Sequence, residues 1–260
     1  MTATTPASGS AERWGPLWGA LPRDWAANED RQVPTYEAAL RRVSLEPGQR
    51  VLDIGCGSGV FLRLAADRGA EVFGLDASEA LIEIARERVP EADLRTGEMQ
   101  ALPYEDAYFD LVAGFNAFFF AADMTASLRE AGRVAKRGAA VVIQVWGPPE
   151  RCELEAMKRL ARPLLPPPPP GAPKPPPLWR PGVLEKIAGD AGLTPESSFD
   201  TSYAFEYPDD ETPGRLMLAP AGIGSLAGPR EDELRMAIVQ GLAPYRTPDV
   251  PTGSRTSSTS

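Results

Sequence analysis

The stretch RVLDIGCGSGVFLRL, residues 50–64, places three glycines at alternate positions, directly after an apolar strand pattern and directly before a helical one. A structural turn of this kind needs one permissive residue, so Gly55, Gly57 and Gly59 together point to a ligand lying against bare backbone. Strand, tight loop and helix in that order open an α/β fold.

Apolar strands alternate with helical patterns downstream, which predicts a parallel sheet with helices on both faces. The first strand spans 50–54, a helix follows over 60–67, and AEVFGLD, residues 70–76, is the second strand. Ser78 then caps a helix whose Leu81, Ile84, Ala85 and Val89 form one buried stripe, and Pro90 closes it. Strands are predicted at 93–96 and 109–115 and a helix at 125–135. GAAVVIQVW, residues 138–146, is apolar throughout, as a strand covered on both faces should be. After a helix at 150–161, the proline-rich insertion over 163–181 interrupts all periodicity and reads as an extended, rigid wall or lid beside a site.

The composition narrows the chemistry. A chain of 260 residues that is 43% hydrophobic suits one domain with a full core. Its 27 basic and 36 acidic residues give a net charge of -9, with no Lys/Arg run to neutralise phosphates, which argues against nucleic acid and anionic membrane as partners. Two distant cysteines and no apolar stretch near the roughly 20 residues of a membrane span imply a reduced, cytoplasmic protein. MTATTPASGSAERW at the N-terminus lacks the regions of a secretory signal and reads as a disordered leader. No histidine occurs. Ser-His-Asp and Cys-His nucleophiles, a histidine base and most catalytic zinc sites are thereby excluded, and no metal site is expected. Carboxylates, amides, tyrosines or a cofactor must carry the reaction.

The loop itself discriminates among ligands. Val60 stands where a dinucleotide fingerprint needs its third glycine, and no Gly-Lys-Ser or Gly-Lys-Thr follows, so a Walker loop is excluded. Asp53, at the end of the first strand, would repel a pyrophosphate but suits an ammonium group. Asp76, at the end of the second, offers two oxygens to the two hydroxyls of a ribose. An ammonium and a ribose together describe S-adenosylmethionine.

VLDIGCGSG, VFGLDAS, TGEMQALPYEDAYFDLV and LREAGRVAKRGAAVVIQVW resemble, in order, the successive motifs of the class I S-adenosylmethionine-dependent methyltransferases, in the branch acting mostly on small molecules. The resemblance runs from about residue 35 to 207. It implies a Rossmann-like three-layer α/β/α sandwich with a mostly parallel sheet, seven-stranded with one strand antiparallel, and the cofactor across the carboxyl ends of strands one to four. On this resemblance Asp53 and the backbone of Gly55, Cys56, Gly57 and Gly59 hold the methionine end, with the Cys56 side chain a small filler. Asp76, with Ala77 beside it, holds the ribose, Glu98 accepts from the adenine amino group, Met99 packs on the ring, and Asn116 contacts the methionine portion and admits the acceptor. The competing structural roles are a helix cap for Asp76, a solvated loop acid for Glu98 and a turn for Asn116. The implied activity is methyl transfer to a small organic acceptor by in-line displacement, with no catalytic base assigned. A non-catalytic nucleoside-binding module and a nicotinamide-dependent dehydrogenase are the other readings.

Substrate choice is expected outside these motifs. Residues 1–34 read as a leader and helical cap, and Trp14, Trp18, Trp25 and Tyr36 place large rings near the cofactor. FNAFFFAA, residues 115–122, is mostly core, with one or two rings free to line the acceptor pocket. A single methyltransferase domain is expected over 35–249. VPTGSRTSSTS, residues 250–260, lacks alternation and apolar content and is predicted to be a disordered tail that supplies no seventh strand, which leaves an open sheet edge.

Overall fold

A computed structural model describes residues 9–152, 154–167, 175–245 and 255–259. Three helices precede the sheet: α1 (Ser10–Trp18), α2 (Pro22–Glu29) and α3 (Val33–Val43). Proline stands in the first turn of α2 and of α3, where its missing N–H has no intrahelical partner to lose. The central unit then alternates: β1 (Arg50–Ile54), α4 (Val60–Ala66), β2 (Glu71–Asp76), α5 (Glu79–Arg88), β3 (Asp93–Thr96), β4 (Phe109–Phe115), α6 (Met124–Val134) and β5 (Ala135–Gln144). Ser78 caps α5 as its sequence position predicts, its hydroxyl accepting the Leu81 N–H at 3.3 Å. The remainder comprises α7 (Leu154–Ala161), α8 (Val183–Asp190), β6 (Ser202–Glu206), α9 (Glu211–Leu216), α10 (Ile223–Ala227), α11 (Glu231–Leu242) and β7 (Arg255–Thr259).

The five central strands form one parallel sheet in the order β3-β2-β1-β4-β5. The chain leaves β1 toward β2 and returns to β1's other side as β4. That reversal opens a crevice at the carboxyl ends of β1 and β4, where open α/β sheets bind ligands. Alternate residues serve opposite layers. Val51, Ala113 and Phe115 pack with Tyr36, Leu40, Phe61 and Ile82 on one face, and Leu52, Ile54 and Val112 pack with Leu128 and Ala131 on the other. Each large apolar side chain buried here contributes about 1.5–3 kcal/mol. A third cluster joins α7, α9 and α11 around Met157, Tyr207, Leu216, Leu234 and Ile238 and packs against Leu21 and Ala27 of the N-terminal cap. This helical group and the cap close over the sheet. No helix among the described residues is long and apolar enough to cross a membrane.

Three expectations are corrected. The predicted leader gives way to helix at Ser10, while residues 1–8 lie outside the described residues. No side chain at Gly9 caps α1, and the Glu98 carboxylate, distant in sequence, takes the first-turn donors instead. β5 starts at Ala135 and ends at Gln144, and its Val141, Val142 and Ile143 are half-buried, because no further strand covers the sheet beyond it. Among the described residues no antiparallel strand joins this sheet, as the tail's composition predicts. Finally, a strand does form within the predicted tail: β7 pairs antiparallel with β6 from Ser202↔Thr259 to Glu206↔Arg255, as a separate two-stranded sheet. Backbone N–H and C=O groups make such a ladder, so a Ser/Thr-rich segment with little to bury still pairs with an open edge. Residues 250–254 and 260 of the tail, and 168–174 of the proline-rich insertion, lie outside the described residues.

Candidate functional site

The glycine loop hangs from β2. Gly55 and Cys56 both donate to the Leu75 carbonyl, at 2.7 and 3.1 Å, so the loop turns directly off the sheet edge. Its next two amides are taken by carboxylates of the same chain: Gly57 N–H donates to Asp76 Oδ2 at 2.9 Å and Ser58 N–H to Glu29 Oε2 at 2.8 Å. Gly57 has φ +53°, and a Cβ there would fall 2.7 Å from Glu29 Oε2. The missing side chain at 57 therefore makes room for a carboxylate that α2 delivers from the N-terminal cap.

Three buried acids converge. Glu29, Asp53 and Asp76 are 4%, 2% and 9% exposed. Burial pushes the Glu29 carboxyl up to about 7, against the Ser58 N–H and hydroxyl and the Arg88 charge, which favour ionisation. Asp53 is pushed well above the usual carboxylate range, first by burial and then by the charges of Glu29 and Asp76. Asp76 is raised by burial and held down by the N–H groups of Ser78, Gly57 and Ala77. The Arg88 charge acts on Glu29, and Arg88 is shared with Asp30 at 2.9 Å. Asp53 Oδ1 has no hydrogen-bond partner among the described residues. The pocket is short of positive charge, and an ammonium or sulfonium would supply it.

The predicted ribose and adenine acids are both in contact with the chain itself. Asp76 accepts from Gly57 N–H and, through Oδ1, from Ser78 N–H at 2.8 Å, which joins a helix-cap role to its place at the crevice. Ser10 and Ala11 at the start of α1 hydrogen-bond Glu98, whose Oε1 also accepts the Gln100 N–H at 3.1 Å. α1 continues across the Ala77 carbonyl and the Ser78 hydroxyl, with Gly15 and Gly19 at the points of closest approach. Trp14 and Trp18 both meet Phe120 edge-on, at 4.8 and 5.5 Å between centroids. A cleft of about 630 Å³, lined by Ser10, Trp14, Phe119 and Phe120, lies beside this roof. Met99 packs on the core near Glu98.

Asn116, at φ +53° just past β4, has both side-chain amide atoms buried without a partner among the described residues, and so does Gln144 at the end of β5. The two backbones join, Asn116 N–H to Gln144 carbonyl, at 3.1 Å. The Cys56 side chain lies in the core, and burial raises its thiol, so the loop presents only backbone there. Glu29 meets the glycine loop, Ser10 meets Glu98 and Gln144 meets Asn116, and the motif reading named none of the three. Glu29 carries a legible signal: an acid closing a helix in an aromatic-rich segment.

A methyltransferase-domain family model matches residues 52–143. An uncharacterized protein of Mycobacterium bovis is 30% identical over 191 residues, 68% of each chain. The chain belongs to the class I S-adenosylmethionine-dependent methyltransferases. Within this family, the malonyl-acyl-carrier-protein O-methyltransferase of Serratia marcescens is 32% identical over 119 residues, 46% of each chain, so the chain spans about half the length of that relative. The crystal structure of the cyclase SpnF shares the fold, with a TM-score of 0.59 at 16% identity over 99% of this chain and 98% of the other. The family's cofactor is S-adenosylmethionine.

Proposed function

We propose that this methyltransferase moves a methyl group from S-adenosylmethionine to a small organic acceptor by in-line displacement. The observation that carries the reading is the charge of the crevice: Glu29, Asp53 and Asp76 are buried around a loop whose Gly57 and Ser58 amides already hold carboxylates. A pyrophosphate would meet three acids and find those two donors taken, which disfavours a dinucleotide. A cationic amino-acid arm meets the unpartnered Asp53 Oδ1 instead, so the residues fit the cofactor.

When bound, the cofactor supplies a methyl group made electrophilic by its sulfonium, and the sulfur keeps the electron pair of the broken bond. The protein's contribution is placement. Asp53 holds the ammonium, Asp76 the ribose, and Glu98 and Met99 the adenine. Asn116 stands at the acceptor side, and the Trp14, Trp18 and Phe120 rings keep water out. Orientation of this kind supplies roughly 7–11 kcal/mol of a barrier. A small acceptor is supported by the enclosing roof and by the absence of a basic surface run.

Isothermal titration with S-adenosylmethionine, S-adenosylhomocysteine and NAD, followed by incubation of labelled cofactor with small phenols, amines and carboxylates, tests the reading. Binding of the first two ligands and label on one acceptor class are expected. NAD binding without either sulfur ligand would overturn it.

A further inference from the structure

Glu29 lies outside the recognised motifs, yet it reaches the centre of the crevice. Its Oε2 accepts both the N–H and the hydroxyl of Ser58, each at 2.8 Å. Its Oε1 has the Tyr36 hydroxyl at 3.4 Å, beyond the usual O–H···O range of about 2.5–3.0 Å. Asp53 Oδ1, almost fully buried, has no partner among the described residues, and the charge of Glu29 acts on Asp53. Thus one oxygen of each carboxylate remains under-satisfied. A buried acceptor left in that state is costly unless a donor arrives.

The surrounding groups identify that donor. Arg88, from α5, bonds the Ser58 hydroxyl at 2.9 Å and pairs with Asp30, so it braces the outer side of the loop. Asp76, from β2, commits its oxygens to Gly57 and Ser78. Tyr36, from α3, is buried, and its hydroxyl is pushed up by that burial, so it stays neutral. An alkylammonium carries three donors and one positive charge, so it can serve both of these carboxylate oxygens at once and is opposite to them in sign.

We infer that Glu29 and Asp53 together form the seat for the ammonium of the cofactor's amino-acid arm, with Glu29 binding that group directly from the N-terminal cap. This rests on the S-adenosylmethionine reading above. A consequence follows for protons. With its carboxyl pushed up to about 7, Glu29 is partly protonated in the free protein near neutrality. The arriving ammonium favours the ionised form, so the proton leaves as the ligand binds, and affinity rises with pH. For one group titrating near 7, the gain between pH 6 and pH 8 is about tenfold.

The test compares S-adenosylhomocysteine with adenosine, which shares the nucleoside but lacks the ammonium. In the parent, S-adenosylhomocysteine affinity is expected to rise about tenfold from pH 6 to pH 8 while adenosine affinity stays level. Glu29→Gln should lower S-adenosylhomocysteine affinity about tenfold or more at pH 8, flatten its pH dependence and leave adenosine unchanged. Asp53→Asn, with Glu29 intact, should produce the same selective loss and covers the case in which Glu29→Gln does not fold. Equal losses for both ligands in the two variants would make these acids structural braces and overturn the inference. Unchanged S-adenosylhomocysteine binding would do the same. A parent that binds adenosine and NAD but not S-adenosylhomocysteine would overturn the cofactor reading itself, and the seat with it.

Discussion

The Ser10 hydroxyl lies 2.9 and 3.0 Å from the two carboxylate oxygens of Glu98, and the next N–H, from Ala11, reaches one of them at 2.8 Å. Glu98 is thus the cap that α1 lacks in its own sequence, and it is also the acid proposed to receive adenine. Ser10→Ala removes one competitor for that acid. Adenosine affinity is expected to rise about threefold, the effect of one modest hydrogen bond, with faster amide exchange in α1. Calorimetry with adenosine measures it, and a fall in affinity would mean that Ser10 helps to hold the nucleoside.

Asp76→Ala bears on the loop as well as the ligand. Two backbone donors, Gly57 N–H and Ser78 N–H, lose a charged acceptor. The expected cost is about 2–4 kcal/mol of unfolding free energy, read from urea denaturation, together with weaker S-adenosylhomocysteine binding. Undiminished stability would show that both amides find other partners.

The free protein should lose stability as pH rises from 5 to 7. Glu29 titrates near 7 when folded against an ordinary 4.5, so over that interval the folded state binds more protons than the unfolded one. The penalty is fully present above pH 7 and absent below the unfolded value. Its size is on the order of 3 kcal/mol for a group buried this deeply. Asp53 and Asp76 are raised too and act in the same direction. Thermal midpoints measured across this range should fall in the parent and fall less in Glu29→Gln, and saturating S-adenosylhomocysteine at pH 8 should restore the parent. A flat parent profile would contradict the assignment.

Gln144→Leu separates ligand recognition from structure. Both amide atoms of Gln144 are buried without a partner among the described residues, so a side chain of similar size without polar atoms should raise the thermal stability of the free protein by about 1 kcal/mol. Once an acceptor is in hand, the same variant should raise its KM while leaving S-adenosylhomocysteine affinity unchanged. A destabilised variant would show that the amide is already satisfied at rest.

The sheet was legible where local pattern and tertiary role agree. The bounds of β1, β3 and β4 are those the sequence predicts, with Gly55 closing β1 and Gly97 following β3. β5 begins three residues before the predicted start, because Lys136 and Arg137 look like a helix end while Phe109 pairs with Ala135 across the ladder. β7 was hidden for a different reason, since its Ser/Thr-rich sequence has no apolar alternation while its backbone pairs with β6. Among the proposed site residues, Asp53 and Asp76 stand out by their positions relative to the glycines, while Glu98 comes only through the family resemblance. Glu29 meets its partner 29 residues away and Ser10 meets Glu98 88 residues away, so although an acid is visible at the end of the aromatic-rich segment, neither pairing shows in local pattern.

The bare α-carbon of Gly57 lets Glu29 in, and this has a consequence for how such chains diverge. One of the three buried acids at the loop thus comes from outside the family-matched segment, residues 52–143, so the charge beside a loop of identical sequence is adjustable from outside itself. Exchanging the N-terminal helices between relatives would then add or remove one carboxylate at the loop without altering any glycine. Two proteins sharing the whole motif need not hold a cation with the same number of acids.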